Sequence, residues 1–469
     1  MKKDNTKISH VQSISKLKTG QALFTAMHTS AIGIDVHESK MVACYQYCNS
    51  GDSNIYTEHL ETKTKFIDIK HLVDWICKKS PDVVVFESTG VYWMSLYDEL
   101  ERRGFSSDKV AVLNARDVKA VRGRKTDWAD AARLTELGRS GCYKASFIPP
   151  KPIRQLRVMC RALYNIKKDI QKTKNRMHKY LTGVGFRASQ VFSNVRGKAA
   201  TAIIDAVIGG ARGDALLEII KKEGYRLKAS TTEIYEALDG DRESAVWFLI
   251  SQTKRHLSYL EKKYEELLNQ IRIMAEPYKP TIDLLMSIPG VKEIGAITIL
   301  SEIGDDLSSF KSIKCFTSWI GICPGNSESA GKKYSGRCTK GNKYLKRVLI
   351  EIANAVGLSR KGYLYQLFQT FKERRGHKRA IVAIAHKIAR IIFACIKNNS
   401  KYKEIENCNV LKDHRIKKLK LVTASLGEVN LKIANNLEIT NKETNQRELI
   451  IDPSPDLSIV EMDDLSFIT

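Results

Sequence analysis

The sequence predicts an α/β domain followed by a mostly helical remainder, and three observations support this fold class. Near the start, AIGIDVH and KMVACYQY alternate apolar and polar residues on either side of a short turn. Two continuous apolar runs, DVVVFES and KVAVLNA, then alternate with segments of helical spacing. Further along, apolar residues recur at every seventh position, which is typical of long packed helices.

Charge and composition narrow the possible functions. The 469 residues include 77 Lys and Arg against 52 Asp and Glu, which gives a net charge of +25. A folded surface this basic attracts polyanions, so nucleic acid is the favoured partner. No apolar run approaches the ~18 residues that span a membrane, and the basic N-terminus lacks the apolar core of a signal peptide. The ten cysteines form no CxxC pairs, so we expect reduced thiols in a cytoplasmic protein.

The elements of the α/β domain follow one another in a definite order. The first two strands form a hairpin around His37, and NIYTEHLET supplies a third strand. The helix FIDIKHLVDWICKK, the buried strand DVVVFES, the helix VYWMSLYDELERRG, the buried strand KVAVLNA and the helix WADAARLTELGRSG come next. The order β-β-β-α-β-α-β-α is the topology of the ribonuclease H-like fold, a likeness that by itself carries no function.

Two heptad stripes predict long helices in the middle of the chain. They can pack as an antiparallel coiled-coil hairpin or form the seam of a dimer. The first stripe contains Leu156, Leu163, Ile170 and Met177, with Met159, Ile166 and Tyr180 as companions. The second contains Ile250, Leu257, Tyr264 and Ile271, with Leu260, Leu267 and Met274 as companions.

These patterns divide the chain into five predicted regions. The regions are a basic arm over 1–30, the ribonuclease H-like domain over 31–147, a helical and coiled-coil region over 148–280 with an insertion at 183–245, a helical domain over 281–400, and a charged, flexible tail over 401–469.

Four carboxylates are predicted to converge in the α/β domain. Asp35 lies inside an apolar strand, where an isolated acid is costly, and Glu87 ends the next buried strand. Asp127 and Asp130 are three residues apart at the start of the last helix and so share a face. A helix cap or a lone ion pair explains each acid singly. Together, on this topology, they predict a site for two Mg²⁺ or Mn²⁺ ions, as in phosphoryl transfer.

Two segments of the later helical domain suit phosphate binding. IPGVKEIGAITILSEIG predicts two helices around Pro289 and Gly290, similar to a helix-hairpin-helix, with Lys292 where a second glycine is usual. An ordinary helical hairpin explains this segment equally well. The stretch from Pro324 to Lys332 is predicted as a loop, and a helix is predicted to begin near Asn342. Seven Lys or Arg and no acid lie from Lys332 to Arg347, which favours contact with phosphates.

Particular motifs resemble one protein family. GIDVHESK, VVFESTGVYW and NARDVKAVRGRKTDWADA, within 31–145, resemble the RuvC-like DEDD domain of transposases of the "one-ten" group of insertion sequences. PGNSESAGKK and GHKRAIVAIAHKIARIIF, within 285–395, resemble the C-terminal domain of the same family. The resemblance assigns the four acidic positions to Asp35, Glu87, Asp127 and Asp130. It assigns the nucleophile to Ser329, with Ser327 and Ser335 as alternatives.

The resemblance implies a recombinase that excises and integrates its own insertion sequence. Its Mg²⁺- or Mn²⁺-dependent strand exchange would pass through a covalent phosphoserine, and a bridge RNA would guide target choice by base pairing. The implied partners are double-stranded DNA, the bridge RNA and further copies of the chain in a dimer or tetramer. The implied location is the nucleoid of a prokaryotic cell.

Basic residues expected to contact nucleic acid lie on a ridge and around the predicted loop. Residues 151–180 carry ten Lys or Arg against one acid, Asp169, whereas a coiled coil alone usually carries both signs. The expected contacts are Arg154, Arg157, Arg161, Lys168, Lys172, Arg176, Lys292, Lys332, Lys333, Arg337, Lys340, Lys343 and Arg347.

Two alternative functions use the same residues. A nuclease resembling a Holliday-junction resolvase would use the four acids with water as the nucleophile. A non-catalytic nucleic-acid-binding descendant of a transposase would keep only the basic surface.

Overall fold

The computed structural model describes most of the chain. The described residues are 15–17, 27–49, 54–88, 90–114, 126–195, 197–225, 227–243, 245–325, 327–329, 332–335, 337–405, 415–419, 438–440 and 447–449. They form two compact units, one ending at Lys151 and the other beginning at Pro152.

A mixed six-stranded sheet forms the centre of the first unit. The strands are β1 (Ser15–Leu17), β2 (Ser30–Val36), β3 (Lys40–Tyr47), β4 (Ile55–Lys63), β5 (Val83–Glu87) and β6 (Val110–Leu113). Across the sheet they lie in the order β1-β4-β3-β2-β5-β6. Antiparallel pairing joins β1 to β4, β4 to β3 and β3 to β2, and parallel pairing joins β2 to β5 and β5 to β6.

Helices cover both faces of this sheet. Helices α1 (Phe66–Lys79) and α2 (Trp93–Arg102) enclose the larger core, which includes Ile34 and Phe86. Helix α3 (Asp127–Ser140) packs on the opposite face, against Ala31, Val85 and neighbouring residues. The predicted order of strands and helices is confirmed, and the arrangement is compatible with a ribonuclease H-like domain. The short strand β1 is additional, because it lies within the segment expected to be a loose arm.

Helix α3 approaches the sheet closely at Gly33. A β-carbon at Gly33 would lie 2.3 Å from the backbone nitrogen of Thr135 and 2.4 Å from the carbonyl oxygen of Ala131. The Thr135 hydroxyl accepts a hydrogen bond from the Gly33 N–H at 3.0 Å and lies 2.9 Å from the carbonyl oxygen of Cys44. Because Gly33 has no side chain, the backbone of α3 lies directly against the central strand, two residues before Asp35.

We expect Gly33→Ala to destabilise the protein by about 3 kcal/mol, because an overpacked core must displace backbone. Gly295→Ala is a matched control, because a β-carbon there meets nothing within 4 Å. Within a helix, that change should stabilise the protein by about 0.5–1 kcal/mol. Urea denaturation of both variants measures the two effects, and an unchanged midpoint for Gly33→Ala would contradict the close packing.

The second unit is largely helical. Its two longest helices are α4 (Lys151–Gly183), which begins at the boundary of the first unit, and α9 (Val246–Ala275). A core cluster packs Met177 and Leu181 of α4 together with Ile250 and Leu257 of α9. Between them come α5 (Ala188–Val191), α6 (Lys198–Ile208), α7 (Gly213–Gly224) and α8 (Thr231–Ala237). After a 3₁₀ turn at Glu276–Tyr278 come α10 (Lys279–Met286), α11 (Glu293–Ile303), α12 (Ile313–Ile320), α13 (Lys343–Ser359), α14 (Gly362–Arg375) and α15 (His377–Lys397).

The buried stripe of α9 departs from the predicted heptads in its second half. Leu268 and Ala275 are buried, whereas the expected companions Leu267 and Met274 are only half-buried. A straight α-helix drifts by about 20° per heptad, so the buried stripe moves by one position. The coiled-coil pairing of the two long helices stays a prediction.

The segment expected to be a loop contains a short β-hairpin. Strands β7 (Ser327–Ser329) and β8 (Lys332–Ser335) pair antiparallel, with Ser329 opposite Lys332. This stretch is rich in Gly, Ser and Asn and has no alternation of apolar and polar residues, so the local pattern did not indicate a hairpin. Two further short strands, β9 (Glu438–Thr440) and β10 (Arg447–Leu449), also pair antiparallel.

The cysteines of the described residues are all free thiols. Within the same residues, no helix has the length and apolarity needed to cross a membrane.

Candidate functional site

Two of the four predicted acids lie at the ends of neighbouring parallel strands. Ile34 of β2 pairs with Phe86 of β5, so Asp35 and Glu87 occupy the next position on each strand. Ile34 and Phe86 face the core beneath α1 and α2. Because side chains alternate along a strand, the two acids lie on the opposite face, which α3 covers.

The other two acids belong to the first turn of α3. The Thr126 hydroxyl caps this helix by accepting from the Ala129 N–H at 3.2 Å. The Asp127 carboxylate is therefore not the cap, which removes the simplest structural explanation for it. Asp130 lies three residues after Asp127, and its carboxylate pairs with Arg133 at 2.5 Å.

The structure brings Asp35 and Asp127 together around His37. The imidazole Nε2 of His37 lies 2.9 Å from Asp35 Oδ2 and 3.6 Å from Asp127 Oδ1. One donor atom from each of the three side chains lies within 4.8 Å of the others. Lys40 approaches the second Asp127 oxygen at 2.6 Å. His37 and Lys40 are not among the predicted site residues, although His37 follows Asp35 by only two positions in the sequence.

The electrostatics of this cluster show crowded negative charge. Burial raises the pKa of Asp35 above its ordinary value, and repulsion from Asp130 and Asp127 adds to the rise, against the effect of His37. The hydrogen bond from Lys40 lowers the pKa of Asp127. Oxygen donors that repel one another and attract nearby cations suit a divalent ion. The donor set of Asp35, Asp127 and His37 therefore fits a metal, with the imidazole as a nitrogen ligand.

We expect Asp35→Asn to raise the melting temperature by about 2 °C at pH 7 in EDTA. A raised carboxyl pKa means that ionised Asp35 opposes folding, so its cost grows as pH rises above the ordinary value of 3.8. The gain should therefore fade at pH values below 3.8.

Glu99→Gln is the contrasting control for this measurement. Arg102 and Arg103 hydrogen-bond to the buried Glu99 and lower its carboxyl pKa, so its charge stabilises the fold above the ordinary pKa. Neutralising Glu99 should lower the melting temperature at pH 7. Equal losses in both variants would contradict the charge crowding around Asp35.

The residue predicted to be the nucleophile, Ser329, lies in the hairpin of the second unit. Its backbone pairs with that of Lys332, and Ser327 is matched with Ser335 across the hairpin. The side chains of residues 326–336, including Lys332 and Lys333, lie outside the described ones. The hairpin begins and ends close together, since Pro324 bridges to Cys338 and the Gly325 N–H donates to the Arg337 carbonyl at 2.8 Å.

The predicted nucleic-acid contacts divide by exposure. Those that expose their side chains to solvent are Lys168, Lys172, Arg176, Lys292, Arg337, Lys340 and Lys343. Those that are partly buried are Arg154, Arg157, Arg161 and Arg347.

Arg157, Arg161 and Arg347 contact residues of the second unit. Arg157 donates to the carbonyl oxygens of Ser301 and Glu302, and burial lowers the pKa of its guanidinium to about 10. Arg161 forms a bidentate ion pair with the Glu302 carboxylate, with both bonds at 2.8 Å. The Arg347 guanidinium lies 3.6 Å from the centre of the Tyr164 ring and pairs with Glu351. These contacts connect helices. Counting charged residues along the sequence cannot distinguish this structural role from phosphate binding.

Comparisons with known families and proteins match both units. Residues 32–186 match a transposase family model for the DEDD domain of IS110 elements, and residues 282–369 match the model for transposases of the IS116/IS110/IS902 family. The chain belongs to the IS110 group of transposases. The first match contains Asp35, Glu87, Asp127 and Asp130, and the second contains Ser329.

Individual relatives are also described as transposases. A protein of Sinorhizobium fredii described as a transposase, y4pF/y4sB, is 26% identical over 349 residues, covering 73% of this chain and 80% of the relative. The transposase for insertion sequence element IS1111A of Coxiella burnetii is 27% identical over 220 residues, covering 44% of this chain and 57% of the relative.

Proposed function

We propose that this IS110-group transposase excises and integrates its insertion sequence by cutting and rejoining double-stranded DNA through a covalent phosphoserine. The observation that carries the proposal is the convergence of Asp35 and Asp127 at the edge of a mixed sheet, within a matched DEDD transposase domain. The match to the second transposase domain, which contains the serine hairpin, supports the covalent route.

Ser329 is the proposed nucleophile. Its hydroxyl oxygen forms a bond to the scissile phosphorus as the bond from phosphorus to one deoxyribose oxygen breaks. The serine proton passes to solvent, and the departing oxygen takes up a proton. The energy of the phosphodiester is kept in the serine ester, so a second DNA hydroxyl can displace Ser329 and reseal the strand without a nucleotide cofactor.

We propose that Asp35, Glu87, Asp127 and Asp130, together with His37, hold divalent metal. Bound Mg²⁺ or Mn²⁺ would polarise the scissile phosphate as a Lewis acid. Lys40 and Arg133 offset the negative charge of Asp127 and Asp130, which keeps the acids close together. Displacing these cations costs little, because both pairs are partly exposed and screened by solvent.

Exposed cations on α4 and around the hairpin are the proposed nucleic-acid surface. Lys168 and Arg176 are exposed on α4, and Lys340 and Lys343 are exposed beyond the hairpin. A phosphate-tracking surface of this kind suits both DNA and a structured bridge RNA, with target choice left to base pairing. The heptads are proposed to join copies in a dimer or tetramer, and the turn before Lys292 to act as a helix-hairpin-helix.

We expect Ser329→Ala to abolish protein–DNA adducts that survive denaturation, because no hydroxyl remains to bond phosphorus. The substrate is duplex DNA spanning the boundary of the element that encodes the chain, with the RNA that co-purifies with the protein. Ser327→Ala and Ser335→Ala are matched controls in the same hairpin and should keep forming adducts. Cleavage that persists in Ser329→Ala without an adduct would instead indicate a water-using nuclease.

We expect His37→Ala to weaken Mn²⁺ binding about tenfold and Mg²⁺ binding less than twofold. Imidazole nitrogen suits Mn²⁺ better than Mg²⁺, which prefers oxygen. Titration calorimetry with each ion alone measures this difference without requiring activity. His71→Ala, on the exposed face of α1, is the control. Unchanged Mn²⁺ affinity in His37→Ala would remove the imidazole from the site, whereas Asp127→Asn should weaken both ions.

A further inference from the structure

A buried carboxylate lies at the centre of the second unit. Glu302 is 1% exposed and lies near the end of α11. Besides its bidentate bond to Arg161, its Oε2 atom lies 3.5 Å from Nε of Arg157. An uncompensated charge at such depth would be strongly unfavourable, so the two arginines of α4 are required to neutralise it.

The same carboxylate reaches the helix that follows the serine hairpin. The Asn342 side-chain N–H donates to Glu302 Oε2 at 2.7 Å. The Asn342 side-chain oxygen accepts from the backbone N–H groups of Tyr344 and Leu345, both at 3.1 Å, and so caps α13. Asn342 thus joins the ion-pair cluster to the first turn of α13 with opposite ends of one amide.

Hydrogen bonds and close backbone packing then hold both ends of the hairpin segment against each other. The Asn342 N–H donates to the Trp319 carbonyl at 3.2 Å, and Lys346 Nζ donates to the Gly321 carbonyl at 2.7 Å. Gly341 packs against the chain so closely that a β-carbon would lie 2.5 Å from the Ile320 carbonyl oxygen. The segment between Gly321 and Gly341 therefore leaves and rejoins the helical core at one point, which Glu302 reaches through Asn342.

We propose that Glu302 is a positioning residue, which fixes the base of the hairpin through Asn342 and thereby the placement of Ser329. This inference rests on the proposed function, because it concerns the serine that forms the DNA ester. Arg157 and Arg161 supply the counter-charge to the Glu302 carboxylate, so part of the basic ridge serves the hairpin from within the protein.

A reversal of the hydrogen bond tests the inference. Glu302→Gln keeps the side-chain shape but removes the charge, and Asn342→Asp keeps a good helix cap but removes the donor. Each single variant should lower the rate of adduct formation at saturating DNA by about tenfold or more, because small displacements of a reacting group are costly. DNA affinity should change less than twofold.

The double variant separates positioning from a general loss of structure. In Glu302→Gln with Asn342→Asp, the new amide can donate to the new carboxylate, and the charge of the cluster is unchanged. Its adduct rate should return to within about threefold of wild type. Glu276→Gln is the matched control in the second unit, because Glu276 is exposed and pairs with Lys279; it should leave the adduct rate unchanged.

Hydrogen exchange gives a readout that does not depend on activity. Both single variants should speed amide exchange in Ser327–Ser335 by about tenfold or more, with α15 unchanged and the double variant restored. The inference is overturned if the single variants keep wild-type adduct rates and exchange, or if the double variant shows no rescue. Adduct formation by Ser329→Ala would instead refute the proposed nucleophile, while the exchange result would still report on Glu302.

Discussion

The close approach of α3 to β2 at Gly33 is the constraint on which the acidic cluster depends. A helix normally packs on a sheet through side chains, but here the backbone of Ala131 and Thr135 lies against a strand residue without one. The first turn of the same helix carries Asp127 and Asp130, and Asp35 is the penultimate residue of the strand. A larger residue at position 33 would lift the helix and separate these carboxylates, so packing in the core determines the geometry at the sheet edge.

The charge balance of the acidic cluster follows from the same geometry. Half-buried Asp35 lies near two further carboxylates, and its pKa is raised first by burial and then by their repulsion. His37, Lys40 and Arg133 lie against these acids and reduce the repulsion. These partners are partly exposed, so the cluster is held by weak and screened pairs that an incoming divalent ion can replace. The fold by itself therefore brings donor atoms of Asp35, His37 and Asp127 together.

The positive charge of the chain has two different physical roles. Arg157 and Arg161 point into the second unit, where Glu302 and backbone carbonyls satisfy them. Lys168, Lys172 and Arg176, further along the same helix, are exposed to solvent. Helix α4 thus contributes ion pairs to the core of the second unit and also carries part of the proposed nucleic-acid surface.

The sequence by itself determined the order of the elements and predicted the four acids, because both depend on local patterns. Alternation marked β2 and β3, apolar runs marked β5 and β6, and an acid in an apolar strand marked Asp35. The tertiary structure alone decided which cations meet those acids, since contacts such as Lys40 with Asp127 depend on how α3 lies on the sheet. It also decided that Arg161 pairs with Glu302, 141 residues away, because burial and distance between remote segments have no signature in local composition.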